Sequence, residues 1–150
     1  MKLYIDGDAF PTQLKAIIFR AIERHALKTF VVANKRVNIG NSEHINYIVV
    51  GREPDEADNR IVEMLEEGDL VLTADIPLAD RALSKKAHAL NFRGQFYDSF
   101  NIKNSLAMRN LMQELRESGT VSGGQQPFNQ KNAHEFANQL NKFLTKYKLS

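Results

Sequence analysis

Cysteine is absent from the 150 residues. That removes disulfides, thiolate metal sites, iron–sulfur ligation and cysteine nucleophiles, and it fits a reducing, cytoplasmic setting. A strong excess of charge is also lacking. The formal net charge is +2, so composition by itself demands no nucleic-acid partner, and where the charges lie matters more than their sum. No apolar run approaches the roughly 20 residues that span a bilayer, so no membrane partner is expected. The N-terminus has no basic start followed by a long apolar stretch, and no signal peptide is expected. The 4 histidines, His25, His44, His88 and His134, are scattered without a zinc-type spacing.

What remains is an ordinary globular composition on a chain long enough for one core, so a single domain over residues 1–150 is expected. The first half alternates short β-like runs with helical patterns. Leu3–Ile5, Thr29–Ala33, Tyr47–Val50, Leu70–Thr73 and Ala87–Leu90 read as five strands. Helices are expected to open at Pro11-Thr12, at Pro54-Asp55 and at Asp75 with Pro77. The second should end at Gly68-Asp69 and the third near Lys86. Such alternation implies an α/β domain with a mainly parallel sheet covered on both faces.

After Asn91 the pattern changes. Phe92–Phe100 is irregular and aromatic, and Ile102–Glu117 is helical, with Leu106, Met108, Leu111, Met112 and Leu115 as its expected buried stripe. Ser118–Pro127 is rich in Gly, Ser and Gln, with Gly123-Gly124 reading as a connector. Asn129 should cap a last helix whose Ala133, Phe136, Ala137, Leu140, Phe143, Leu144 and Tyr147 recur at helical spacing. These helices are expected as an extension over about 102–150, not as a second domain.

The informative residues are acids at strand ends. Asp6 and Asp8 follow the first strand, and Asp75 follows the fourth. Asp58 lies in the first turns of the helix before that strand, and Asp80 lies in the helix after it. Open α/β sheets bind ligands at the carboxyl edge of their strands, and clustered carboxylates repel unless something compensates. Mg²⁺ and Mn²⁺ prefer oxygen ligands, and such a metal polarises a phosphoryl oxygen and activates water. Each acid also has a bland reading. Asp8 and Asp75 suit helix N-caps, Asp55 a cap or first-turn position, Asp58 a partner for Arg60, and Asp80 one charge on a solvated face.

Lys35, Arg36, Arg52, Arg60, Arg81, Lys85, Lys86, Arg93 and Arg109 are candidate phosphate contacts, with Phe92, Phe96 and Tyr97 as candidate stacking aromatics. The alternative is a solvated basic face and aromatics that pack. Asn34 and Asn91 both follow strands, where they would orient a ligand or form turns.

The opening Tyr4-Ile5-Asp6-Gly7-Asp8-Ala9-Phe10-Pro11 resembles the start of the bacterial YaiI/YqxD family, UPF0178 or DUF188. The likeness continues in Val32-Ala33-Asn34, in Ala57–Val62 and in Gly68–Ala79. It extends through Ala89-Leu90-Asn91, Arg93-Gly94, Met108-Arg109, Gly123-Gly124 and Pro127-Phe128. Phe10 departs from it, because family members commonly carry cysteine there, so a thiol role is closed to this chain. The resemblance implies a three-layer PIN-like fold and, by analogy, a Mg²⁺/Mn²⁺-dependent nuclease acting on RNA more than DNA. Asp6, Asp58 and Asp75 would correspond to the usual three acids, with Asp8 and Asp80 as further metal ligands and Lys35, Arg36, Arg93 and Arg109 toward nucleic acid. Two alternatives stand beside it. One is a non-catalytic module that binds RNA or a protein. The other is a haloacid-dehalogenase-type phosphatase using Asp6 as nucleophile, although Phe10 and the missing later acid pair speak against that.

Overall fold

Five short strands carry the architecture: β1 (Leu3–Asp6), β2 (Thr29–Ala33), β3 (Ile45–Val49), β4 (Leu70–Leu72) and β5 (His88–Leu90). The helices are α1 (Lys15–His25), α2 (Glu56–Met64), α3 (Ile76–Ser84), α4 (Ser99–Glu117) and α5 (Gln130–Lys148). The structure is a computed structural model and describes residues 1–8, 10–53, 55–119 and 127–148. Pro54 as a helix opener and the Gly123-Gly124 connector lie outside the described residues.

All strand pairs are parallel, in the order β3-β2-β1-β4-β5. The inner strands β1, β2 and β4 are apolar and buried because both faces of the sheet are covered there, whereas the edge strand β3 is largely exposed. Side chains alternate across a strand. Leu3, Ile5, Val31, Leu70 and Leu72 share a cluster with Ile18 and Ile22 of α1 and with Phe136, Leu140 and Leu144 of α5. Tyr4, Val32, Val71 and Ala89 share the opposite cluster with Ile61 of α2, Leu78 of α3 and Ile102 of α4. The result is three layers: α1 and α5, the sheet, then α2, α3 and α4. By the same alternation Asp6 points to the α2–α3 side, at the carboxyl edge. Among the described residues no helix is long and apolar enough to cross a membrane.

Several boundaries differ from expectation. A 3₁₀ turn (Thr12–Leu14) stands where the first α-helix was expected, and α1 begins behind it. Strand β3 starts at Ile45, two residues early, because it pairs in register with all of β2. Helix α2 stops at Met64, since Leu65 turns to extended backbone and is itself buried. Gly68-Asp69 therefore forms the turn into β4, with Gly68 at φ 87, and not the helix end. Helix α3 ends at Ser84, ahead of Lys86 at φ 61. At the last helix Asn129 accepts from the Asn132 N–H at 3.0 Å, while the Asn132 side chain accepts from Asn129 N–H at 3.0 Å, a reciprocal cap.

The largest correction concerns α4. Its expected buried stripe is not buried: Met108 is 57% and Leu111 48% exposed, and only Ile102 of the helix is buried. Periodicity correctly indicated a helix but could not say that its apolar face has no covering layer among the described residues.

Candidate functional site

The strand order places β1 beside β4, with Ile5 opposite Leu72. Asp6 and Thr73 therefore leave the sheet side by side. Chain direction across the sheet reverses here, outward through β2 and β3 and then back to β4 and β5. Such a switch point opens a crevice at the carboxyl edge.

Thr73 is the joint of the site. Its Oγ1 donates to Asp6 Oδ2 at 2.9 Å and accepts from the Asp75 N–H at 2.9 Å. Asp6 is 5% exposed. Burial pushes its carboxyl up, the hydrogen bonds from Thr73 and from the Asp8 N–H pull it back, and the charges of Asp8 and Asp75 push it up again. Asp75 caps α3, its Oδ1 accepting from Leu78 N–H at 3.0 Å, so the capping reading holds for it while it also borders the cleft. Asp58, in the first turn of α2, is half-buried. Burial, then the charges of Asp75, Asp6 and Asp55, raise it to about 6 against the counter-pull of Arg81.

Asp8 is not a helix cap. No side chain caps the turn that starts after Pro11; Asp8 Oδ1 instead accepts from Asn34 N–H at 2.8 Å, tying the exit of β1 to that of β2. Gly7 makes this approach possible, since a Cβ there would stand 3.0 Å from the Ala33 Cβ and 3.3 Å from the Val32 carbonyl oxygen. Asp55 takes the N-cap position of α2 at φ 65 but makes no side-chain cap bond.

These acids line an open cleft of about 1050 Å³. Asp6, Asp8, Asn34, Asp58 and Asp75 form one side. The other is one face of α4, carrying Asn101, Ser105, Met108, Arg109, Met112 and Arg116. Asp80 is exposed on α3 and does not line the cleft. Lys35 and Arg36 line a separate cavity of about 450 Å³ beside Tyr47. Arg93 reaches α5, its Nη1 donating to Asn132 Oδ1 at 3.2 Å. Asn91 is a turn former whose Oδ1 accepts from the N–H groups of Arg93 and Gln95. Phe92 is a core residue, 3% exposed, edge-on to Phe10 at 5.8 Å, which closes it as a stacking platform; Phe96 packs on Phe143 at 5.1 Å. Of the phosphate-contact candidates, Arg52 and Arg109 line the cleft.

Thr73 and Arg116 were missed in the sequence. Thr73 was legible as a polar residue closing an apolar strand, and Arg116 follows Arg109 by two helical turns on one face. Among the described residues, no group of three or more acidic or histidine side chains stands ready to hold a metal ion.

A family model described as uncharacterized BCR, YaiI/YqxD family (DUF188), matches residues 4–146. A UPF0178 protein of Sulfurimonas denitrificans is 63% identical over 146 residues, 97% of each chain. One from a Sulfurovum species is 59% identical over 97% of this chain and 99% of its own, and one from a Nitratiruptor species is 53% identical over 96% and 95%.

Proposed function

This chain belongs to the YaiI/YqxD family, and within that family we propose that it is a metal-dependent phosphodiesterase acting on RNA through Asp6, Asp58 and Asp75. One observation carries the reading. Burial and then the charges of neighbouring carboxylates raise Asp6 and Asp58 at the switch point, and among the described residues none of Asp6, Asp58 and Asp75 forms an ion pair. Such mutual repulsion, in a cleft, is what a cation or a proton in transit relieves.

The donor set is all oxygen, which fits Mg²⁺ or Mn²⁺. Mg²⁺ needs only one or two protein carboxylates, with water and substrate oxygens completing its shell. Asp6 and Asp75, linked through Thr73, would hold it, with the second oxygen of Asp8 beside them. A cation held there would supply polarisation of a phosphoryl oxygen and a lowered pKa for bound water. The chain's own groups do the rest. Thr73 donates to Asp6 and favours its ionised form. Asp58, raised to about 6, exchanges a proton near neutral pH, as a general base toward water requires. RNA as substrate follows from the PIN-like resemblance.

Labelled single-stranded RNA in Mn²⁺ tests the reading. Asn caps helices about as well as Asp, so Asp75→Asn keeps α3 intact and is expected to abolish cleavage; unchanged cleavage rejects the assignment. A binding module without turnover is the second reading, favoured by the lack of a ready three-acid metal group among the described residues. It requires RNA binding in EDTA and no product in either metal. A phospho-aspartyl route through Asp6 is disfavoured, because the acid it needs at Asp8 is tied to Asn34.

A further inference from the structure

The cleft has two unlike walls. Opposite the acids, Ser105, Met108, Arg109, Met112 and Arg116 of α4 line it, at offsets of three, four, seven and eleven residues that define one helical face. We propose that this face grips the backbone of a single-stranded polynucleotide, Arg109 and Arg116 on different phosphates of one strand and Met108 and Met112 against bases, and so feeds one phosphodiester to the acid wall. The inference rests on the phosphodiesterase reading and adds how its substrate is held.

Arg109 and Arg116 are exposed and lie along a cleft lined with carboxylates. Yet among the described residues neither pairs with a carboxylate, and the salt bridges seen at Lys2 and His44 lie elsewhere. A guanidinium fork left open beside acids it does not pair with is suited to a third party, and phosphate is its best planar match. Seven residues separate the two along the helix, about 10 Å at 1.5 Å per residue. That exceeds the ~3.4 Å rise per nucleotide of a stacked strand, so they reach different phosphates. Between them sits Met112, half-buried, and beside Arg109 lies Met108, 57% exposed. Exposed methionine is an adaptable apolar contact that accepts many shapes, which suits base faces of any identity. Asp6, almost fully buried at the cleft floor, is out of reach of a rigid duplex but not of a flexible strand. The charge pattern also fits. The acid wall repels phosphate, so a phosphate chain needs cations on the facing wall to lie near it.

The test is anisotropy of a fluorescein-labelled short RNA strand, in EDTA and again in Ca²⁺, over salt from about 50 to 200 mM. Wild type, Arg109→Ala/Arg116→Ala and Lys35→Ala/Arg36→Ala are compared, with melting curves to verify folding. The α4 double variant is expected to bind about tenfold or more weakly, and its log K against log salt slope to flatten by about 1.4, two contacts at ~0.7 each. The Lys35/Arg36 variant is expected to match wild type. An unchanged slope in the α4 variant, no binding by wild type in either buffer, or tighter binding of the duplex overturns the proposal. So does a wild-type dimer that Met108→Glu makes monomeric, which assigns the face to a second copy of the chain. If Asp75→Asn still cleaves while the α4 variant loses binding, the acid assignment fails and this one stands. If the α4 variant binds normally while Asp75→Asn is inactive, the reverse holds.

Discussion

Two aspartates at opposite edges of the sheet are almost equally buried, Asp6 at 5% and Asp69 at 3% exposed. Asp69, just before β4, is fully answered. Its Oδ1 accepts from Lys2 N–H and its Oδ2 from Glu66 N–H, both at 2.9 Å, and the Lys2 Nζ lies 3.8 Å away. Asp6, at the end of β1, has one hydroxyl at 2.9 Å, a long 3.4 Å contact with the Asp8 N–H and acidic neighbours. The same side chain is a staple at one edge and a source of electrostatic strain at the other. Burial alone does not mark a functional acid; burial without compensation does.

The largest expected effect breaks the comparison at its active end. Asp6→Asn should keep the Thr73 contact and the fold while lowering RNA cleavage on the order of 1000-fold; a single-turnover assay with melting curves checks both halves. Next comes the structural end. Asp69→Ala strands two N–H groups and should cost about 3 kcal/mol in urea denaturation, whereas cleavage per folded molecule should be unchanged. Thr73→Val removes the joint between Asp6 and Asp75 and should lower cleavage about tenfold with a loss of about 1 kcal/mol.

The smallest effect is a gain. The Asp58 carboxyl sits at about 6 in the folded protein against an ordinary 3.8, so the folded state favours the protonated form. The penalty is absent below about pH 4 and complete above about pH 7. Asp58→Asn should therefore raise the melting temperature by a few °C at pH 7.5 and by less at pH 4. An equal shift at both values would mean that neither burial nor the neighbouring acids raise the Asp58 carboxyl.

Much of this was readable from the sequence, for identifiable reasons. Thr29–Ala33 was assigned to the residue because it is a short β-branched run between polar turns. Asp6, Asp58 and Asp75 were found because strand ends and helix starts must meet at one edge of a parallel sheet. What was hidden depends on three-dimensional neighbours. Asp8 satisfies Asn34, 26 residues away, and not its own helix. Arg93 is drawn to α5 by Asn132. The apolar stripe of α4 and a core stripe look identical in sequence, since period reports a helix face and not what covers it. Phe92 beside Arg93 looked like a stacking pair, but alternation in the loop turned it into the core.

The pairing of β1 with β4 also sets when the site can exist. Asp6 and Thr73 are separated by 67 residues, and closing so long a loop is slow relative to forming the shorter-range β1–β2 pairing, in which Leu3 meets Thr29. A growing chain folds its early segments first. β1 and β2 can meet while β4 is still unsynthesised, with Asp6 then lying at an open strand edge and no Thr73 to orient it. The cleft is thus a late product of folding, and a half-made chain carries the first acid without the means to use it.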